Sequence, residues 1–230
     1  MTAVPARPWE ELPAPRRAGD VALVRASVPA LVPWARTVAA QWLDPAERAR
    51  RDGFRRAEDR DAFLARRCLL RAVLAERLGT DPASVPIGPA PGAAGRRGKP
   101  AVPGLHFSQS SAGGHVLLAT GPRELGIDVE QVPDLAGAEL MSRVLHPAER
   151  RRLAWTLRRR RPAAVARVWV RKESLLKALG TGLSRDPSLD HVGAGRFPRR
   201  PLPGWRVLDL DLGPAGADVR AALTVRAERS

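Results

Sequence analysis

Tyrosine is absent from this chain of 230 residues, and aromatic residues make up only 4% of it. It has one cysteine, and its only lysines are Lys99, Lys172 and Lys177. Each scarcity removes a class of explanation. The lone thiol, Cys68, cannot close an intramolecular disulfide, which excludes a cross-linked scaffold and suits a reducing compartment. Cys68 lies in an apolar helical run, so a buried thiol is expected. No apolar run approaches the roughly 18–20 residues that span a bilayer. The start, Met1 to Pro8, lacks an apolar signal core. A soluble cytoplasmic protein without a membrane partner is expected. The net charge of +15 calls for an acidic partner. Proteins that read single-stranded nucleic acid need aromatic stacking platforms, and no basic–aromatic interleaving occurs here. Nucleic acid is therefore set aside.

What the chain does have is a pair of acids set for a strand and a pair of groups set for a helix. In Gly126-Ile127-Asp128-Val129-Glu130, alternate residues of a strand point to one face, so Asp128 and Glu130 form a two-carboxylate edge. Some forty residues on, Glu173 and Lys177 are neighbours on one helical face. If the two elements meet, three carboxylates converge beside an ammonium. Such a cluster repels itself without a divalent cation, and hard Mg²⁺ with a phosphate ligand is the usual occupant. The lysines point the same way. Two lie in the run Lys172 to Lys177, and the third follows a Gly-rich stretch in Gly98-Lys99-Pro100. In an arginine-biased chain, compact ammonium groups suit point contact with phosphate.

The chain also repeats itself. Asp44-Pro45-Ala46-Glu47-Arg48 returns as His146-Pro147-Ala148-Glu149-Arg150, and a second helix follows each copy, ending near Gly79 and Gly180. Asp44, Pro45 and Glu47 make a capping-box start, and the two glycines are plausible helix stops. Only the second copy carries the acids: Ser27, Ala72 and Glu76 stand where Asp128, Glu173 and Lys177 do. The expected elements are a strand over 21–28, helices from Pro45 and from about Arg60 to Leu78, and a Pro/Gly-rich loop over 81–103. A hairpin over 115–120 and 124–130 follows, then helices near 147–157 and 162–179, and strands near 205–210 and 219–225. Trp169 is expected in the core.

These residues resemble the 4′-phosphopantetheinyl transferases of the surfactin-synthetase-activating type. That pattern is Gly-(Ile/Val)-Asp-x-Glu followed by Trp-x-x-Lys-Glu-(Ser/Ala)-x-x-Lys, here Gly126–Glu130 and Trp169–Lys177. Supporting stretches are Pro45–Phe54, Arg67–Arg71, Gly98–Pro100, His106–Ser111 and Gly180–Leu183. The resemblance implies an α+β pseudo-dimer of two duplicated halves, 1–103 and 104–230. Each half is a small antiparallel sheet packed with helices, and the ligand cleft lies between them. It implies a monomeric enzyme of the holo-acyl-carrier-protein synthase kind serving secondary metabolism. The phosphopantetheine arm of coenzyme A would pass to a serine of an acidic apo acyl or peptidyl carrier protein, releasing adenosine 3′,5′-bisphosphate. By that resemblance Asp128, Glu130 and Glu173 ligate Mg²⁺, with Mn²⁺ as an alternative. Glu173 is the leading base and Glu149 a second one, and Lys177 neutralises phosphate. Arg50, Arg67, Lys99, Ser110 and Ser111 contact coenzyme A, with Arg66 as a neighbour. The family usually reads Asn-x-Ser-His-Ser where this chain reads Ser108-Gln109-Ser110-Ser111-Ala112, so Ser111 replaces a histidine. A catalytically impaired homologue that binds carrier or coenzyme A without transfer is the alternative reading.

Overall fold

The fold is seen in a computed structural model that describes residues 7–89 and 99–228. Gly98, most of the N-terminal stretch and part of the 81–103 loop fall outside the described residues. The strands are β1 (Trp9–Leu12), β2 (Ala22–Ser27), β3 (Gly88–Pro89), β4 (Pro100–Ala101), β5 (His106–Ala112), β6 (His115–Gly121), β7 (Leu125–Gln131), β8 (Trp205–Leu210) and β9 (Val219–Arg226). The helices are α1 (Val28–Trp42), α2 (Pro45–Asp52), α3 (Ala57–Leu78), α4 (Leu135–Ser142), α5 (Pro147–Ala154) and α6 (Arg161–Leu179). None of the described helices is long and apolar enough to cross a membrane.

Two antiparallel sheets carry the fold, ordered β1-β2-β6-β5 and β7-β9-β8. Strand alternation lets each residue set choose a layer. Val24, Ala26, Val116 and Leu118 pack under α1 and α3. Their alternates Leu23, Leu117 and Ala119 meet Ile127, Val129, Ala221 and Leu223 of the other sheet. Beyond that second sheet, α6 packs with Leu153 of α5 and Trp205 of β8. The layers thus run helices, sheet, sheet, helices. Cys68 is fully buried under α1, and burial pushes its thiol up to about 12.

The expected hairpin over 115–130 does not form. β6 pairs with β5 and β2, whereas β7 pairs with β9 in the other sheet. The real hairpin is β5–β6, turned at Gly113-Gly114 with φ of 56° and 77°. Two successive positive φ values are what a two-residue hairpin turn needs, and glycine supplies them without strain. Because β5 and β6 join the first sheet, the chain passes from the first sheet to the second at 122–124. Helix α1 was also unforeseen from the sequence, since Pro29 and Pro33 argue against a helix there. Pro29 lies in the first turn, where proline is tolerated, and Ser27 caps by accepting from the Ala30 amide at 3.3 Å.

The repeated starts of α2 and α5 both close as capping boxes. Beneath each lies a buried ion pair to the next long helix: Glu47 with Arg71 at 2.8 Å, and Glu149 with Lys172 at 2.7 Å. Each cation then donates to carbonyls of the turn that follows its own helix. Arg71 reaches Pro82, Ala83 and Val85, and Lys172 reaches Pro187 and Asp190. A buried charge is tolerable only when paired and hydrogen-bonded in this way. Both long helices stop at a left-handed glycine, Gly79 (φ 64°) and Gly180 (φ 73°).

Candidate functional site

Gly126 sets the geometry of the site. A Cβ there would fall onto the Ser174 carbonyl oxygen and the Ala178 amide, and 2.9 Å from the Lys177 carbonyl carbon. Only a residue without a side chain lets α6 rest directly on β7. Opposite Gly126 in the β7–β9 register stands Thr224, whose buried hydroxyl lies 2.8 Å from that of Ser174 and fixes the helix laterally. The leucine, isoleucine and valine of β7 fill the inter-sheet core. The alternate residues Asp128 and Glu130 are thereby delivered to the α6 side, beside Glu173 and Lys177.

Asp128 is 1% exposed. Its Oδ1 accepts from the Lys177 ammonium at 2.6 Å and from the Ser110 hydroxyl at 2.8 Å. Lys177 also donates to Ser110 Oγ at 2.9 Å. Burial pushes the Asp128 carboxyl above its ordinary range, while Lys177 and Ser110 pull it back. Glu130 and Glu173 are raised too, first by burial and then by repulsion from Asp128; Lys177 opposes both shifts. The Trp169 indole favours the charged form of Glu130, and Trp169 is partly buried against the core under α6.

Among the described residues, no group of three or more histidine, cysteine or acidic side chains stands in ligand geometry for an ion. The three acids share one electrostatic field but not a closed cage. Asp128 Oδ2 and Glu173 Oε1 are nevertheless buried without any hydrogen-bond partner. Buried polar atoms are normally paired, and leaving one unpaired costs about 1–3 kcal/mol. Two unpaired carboxylate oxygens in a mutually repelling trio fit a hard divalent cation such as Mg²⁺ or Mn²⁺, which takes oxygen ligands.

Next to this cluster lies a cavity of about 490 Å³. Arg50, Arg66, Arg67, Lys99 and Lys177 line it, and among the described residues no carboxylate does. Phe63, Leu70 and Phe107 supply an apolar wall. Burial lowers the guanidinium pKa values of Arg66 and Arg67, with Arg50 adding repulsion. Burial also brings Lys99 down to about 8, and its ammonium donates to the Leu125 carbonyl at 2.8 Å. Arg67 is paired with Glu47 at 2.9 Å and Lys177 with Asp128, whereas Arg50, Arg66 and Lys99 enter none of the ion pairs among the described residues; a concave wall with this excess of positive charge is an anion site. Lys177 belongs to both cavity and cluster.

The pleat of β5 sorts its residues between the two halves of the site. Ser108 and Ser110 face β7, where Ser108 Oγ accepts from the Ile127 amide at 3.1 Å. Gln109 and Ser111 face α3: Gln109 donates to the Arg66 carbonyl at 3.0 Å, and Ser111 Oγ accepts from the Arg66 guanidinium at 3.1 Å. Sequence reasoning treated Arg66 as only a neighbour and missed Gln109 and the two phenylalanines. The period-2 alternation of β5 was the signal that could have found Gln109. Glu149 lies elsewhere. It is fully buried, pairs with Lys172, and accepts from the amides of His146, Val192 and Gly193 at 3.1, 2.8 and 3.1 Å.

A model of the 4′-phosphopantetheinyl transferase superfamily matches residues 124–202, the stretch holding Asp128, Glu130, Glu173 and Lys177. Over 177 residues the chain is 30% identical to the 4′-phosphopantetheinyl transferase HetI of a Nostoc species, a match covering 71% of each chain. Over 149 residues it is 30% identical to a 4′-phosphopantetheinyl transferase of Bacillus subtilis, covering 65% of this chain and 64% of that one. The match therefore spans less than two thirds of the Bacillus relative's length.

Proposed function

The chain belongs to the 4′-phosphopantetheinyl transferase superfamily, and from that premise we propose that it loads carrier proteins of the acyl or peptidyl kind. The serine oxygen of an apo carrier attacks the phosphorus next to the pantetheine arm of coenzyme A. A new phosphorus–oxygen bond forms, the pyrophosphate bridge breaks, and adenosine 3′,5′-bisphosphate leaves with the bridging oxygen. The observation that carries this reading is the double membership of Lys177, which joins the basic cavity to the buried acids. A diphosphate lying in the cavity meets the carboxylate cluster through that one ammonium.

Each residue has a part. Arg50, Arg67 and Lys99 receive phosphate groups of coenzyme A, and Phe63 and Phe107 give its organic portion an apolar wall. Ser111 acts through Arg66, holding a guanidinium at the cavity where an imidazole is usual in the family. Ser110 and Lys177 hold Asp128 in orientation, and Lys177 neutralises charge that grows on the departing phosphate. Glu173 takes the proton of the serine hydroxyl, and burial with repulsion from Asp128 raises its pKa, which makes it a stronger base than an ordinary carboxylate. Glu149, with its oxygens engaged by backbone and Lys172, is assigned to structure instead. Asp128, Glu130 and Glu173 would hold Mg²⁺ or Mn²⁺, whose bound charge stabilises the phosphoryl oxygens as a Lewis acid.

The test is Glu173→Gln, measured two ways. Loading, read as the mass gain of an apo carrier incubated with coenzyme A and Mg²⁺, falls by about a hundredfold to ten-thousandfold. Thermal melting of the variant without metal rises by about 2–4 °C for each kcal/mol of repulsion relieved. Wild-type loading by this variant would overturn the assignment. A loss of loading together with a lowered melting temperature would count as simple damage to the fold.

A further inference from the structure

A second cavity, of about 430 Å³, lies where β8 meets the turn at Arg16–Ala18 and the 196–200 segment. Arg17, Arg196, Arg199, Arg200 and Arg206 line it, drawn from three separate parts of the chain, together with Phe197. The acid on this wall, Asp209, is already committed, since both its oxygens accept from Arg171 at 2.7 and 2.6 Å. None of the ion pairs among the described residues includes any of the five arginines. Arg199 reaches only the ring of His191, at 3.2 Å, and Arg196 lies over the Phe197 ring at 5.3 Å. Arg206 Nε is buried without a partner, as are the two carboxylate oxygens of the acid cluster. Phe197 is 74% exposed.

Five like charges gathered in one concavity repel one another and focus a positive potential on the space between them. Guanidinium forks match phosphate oxygens in pairs, which a surface of scattered cations does not. The geometry points to a second anion site, apart from the cavity at Lys177, that takes a small ligand bearing two or more phosphates. The exposed ring of Phe197 stands ready to stack an aromatic base carried by such a ligand. The phosphate chain is the shared chemistry, and a nucleotide and an inorganic polyphosphate are its two sources.

Calorimetric titration of the full chain without divalent ions, using inorganic tripolyphosphate and ATP as probes, tests the site. Two variants isolate it: R17E/R200E, which reverses two exposed charges, and R206Q, which removes the unpaired guanidinium. In both, one binding event of the wild type weakens about tenfold or more, while melting does not fall and kcat for carrier loading stays as in the wild type. Tighter binding of ATP than of tripolyphosphate, reduced by F197A, identifies the nucleotide as the source. Equal binding of the two probes identifies the phosphate chain alone. Identical isotherms for wild type and both variants would overturn the site. So would saturable binding of polyglutamate where tripolyphosphate fails, because the surface would then serve an acidic protein segment.

Discussion

Lys99 carries a pH dependence that can be read directly. Burial holds its ammonium down to about 8, against the pull of Glu124 and with added repulsion from Lys177. In the unfolded chain it titrates at the ordinary lysine value near 10.4. Between the two values the unfolded state binds more protons. The contribution of Lys99 to stability is therefore full above the ordinary value and is lost as pH falls through about 8. A phosphate in the cavity has the opposite preference, since it binds the charged form. The KM for coenzyme A is accordingly expected to rise with pH above about 8, approaching tenfold per unit at most. Lys99→Arg, which keeps its charge, should flatten the rise in a series of KM measurements from pH 7 to 9.5. An unchanged slope in that variant would remove Lys99 from the phosphate contacts. At this scale, what sequence could show depended on local periodicity. Asp128 with Glu130, and Glu173 with Lys177, share faces by strand and helix spacing alone. Arg66 and Trp169 take their parts from contacts between distant elements, and no local pattern announces those, whereas Gln109 was marked only by the alternation of β5. Glu149 carries the signature of a capping-box glutamate, and the structure uses it in one.

The decisive contact between elements is α6 on β7, and Gly126 permits it. Gly126→Ala places a methyl group against backbone atoms of Ser174, Lys177 and Ala178. Neither partner can yield as a flexible side chain would. Overpacking of this kind costs about 3 kcal/mol, which lowers the melting temperature by about 6–12 °C for a domain of this size. The more telling result concerns loading at a temperature where the variant remains folded. Pushing the helix away separates Glu173 and Lys177 from Asp128, so loading should fall well beyond the folded fraction. If activity tracked the folded fraction alone, Gly126 would be a packing residue and no more. Sequence made the strands and long helices visible but not their pairing. The segment joining β6 to β7 holds Gly121 and Pro122 and looks like a turn, yet it carries the chain from one sheet to the other. The Gly113-Gly114 pair was the truer hairpin signal, because it supplies two consecutive positive φ values. The prolines of α1 concealed a helix whose first turn accommodates one of them.

At the scale of the whole molecule, the two sheets share a build: β2-β6-β5 and β7-β9-β8 each set the strand that comes last in the chain between the other two. The duplicated capping boxes and buried ion pairs repeat within that plan. Yet the acids gather on β7 and α6, and the described cavity beside them is lined by Arg50, Arg66, Arg67 and Lys99 as well as by Lys177 of α6. The net charge of +15 attracts acidic molecules more than neutral ones. Attraction at that range acts on encounter more than on the reacting atoms. Raising the salt concentration from about 0.1 M to about 1 M shrinks the screening length from about 10 Å to about 3 Å. With coenzyme A held saturating, kcat/KM for an acidic carrier should then fall about tenfold or more, with kcat nearly unchanged. The same carrier with its acidic side chains neutralised should start lower and respond weakly to salt. The acids, the cavity and the surface charge form one design only if that contrast holds. A salt response equal for both carriers would mean that the positive surface serves some partner other than the one being loaded.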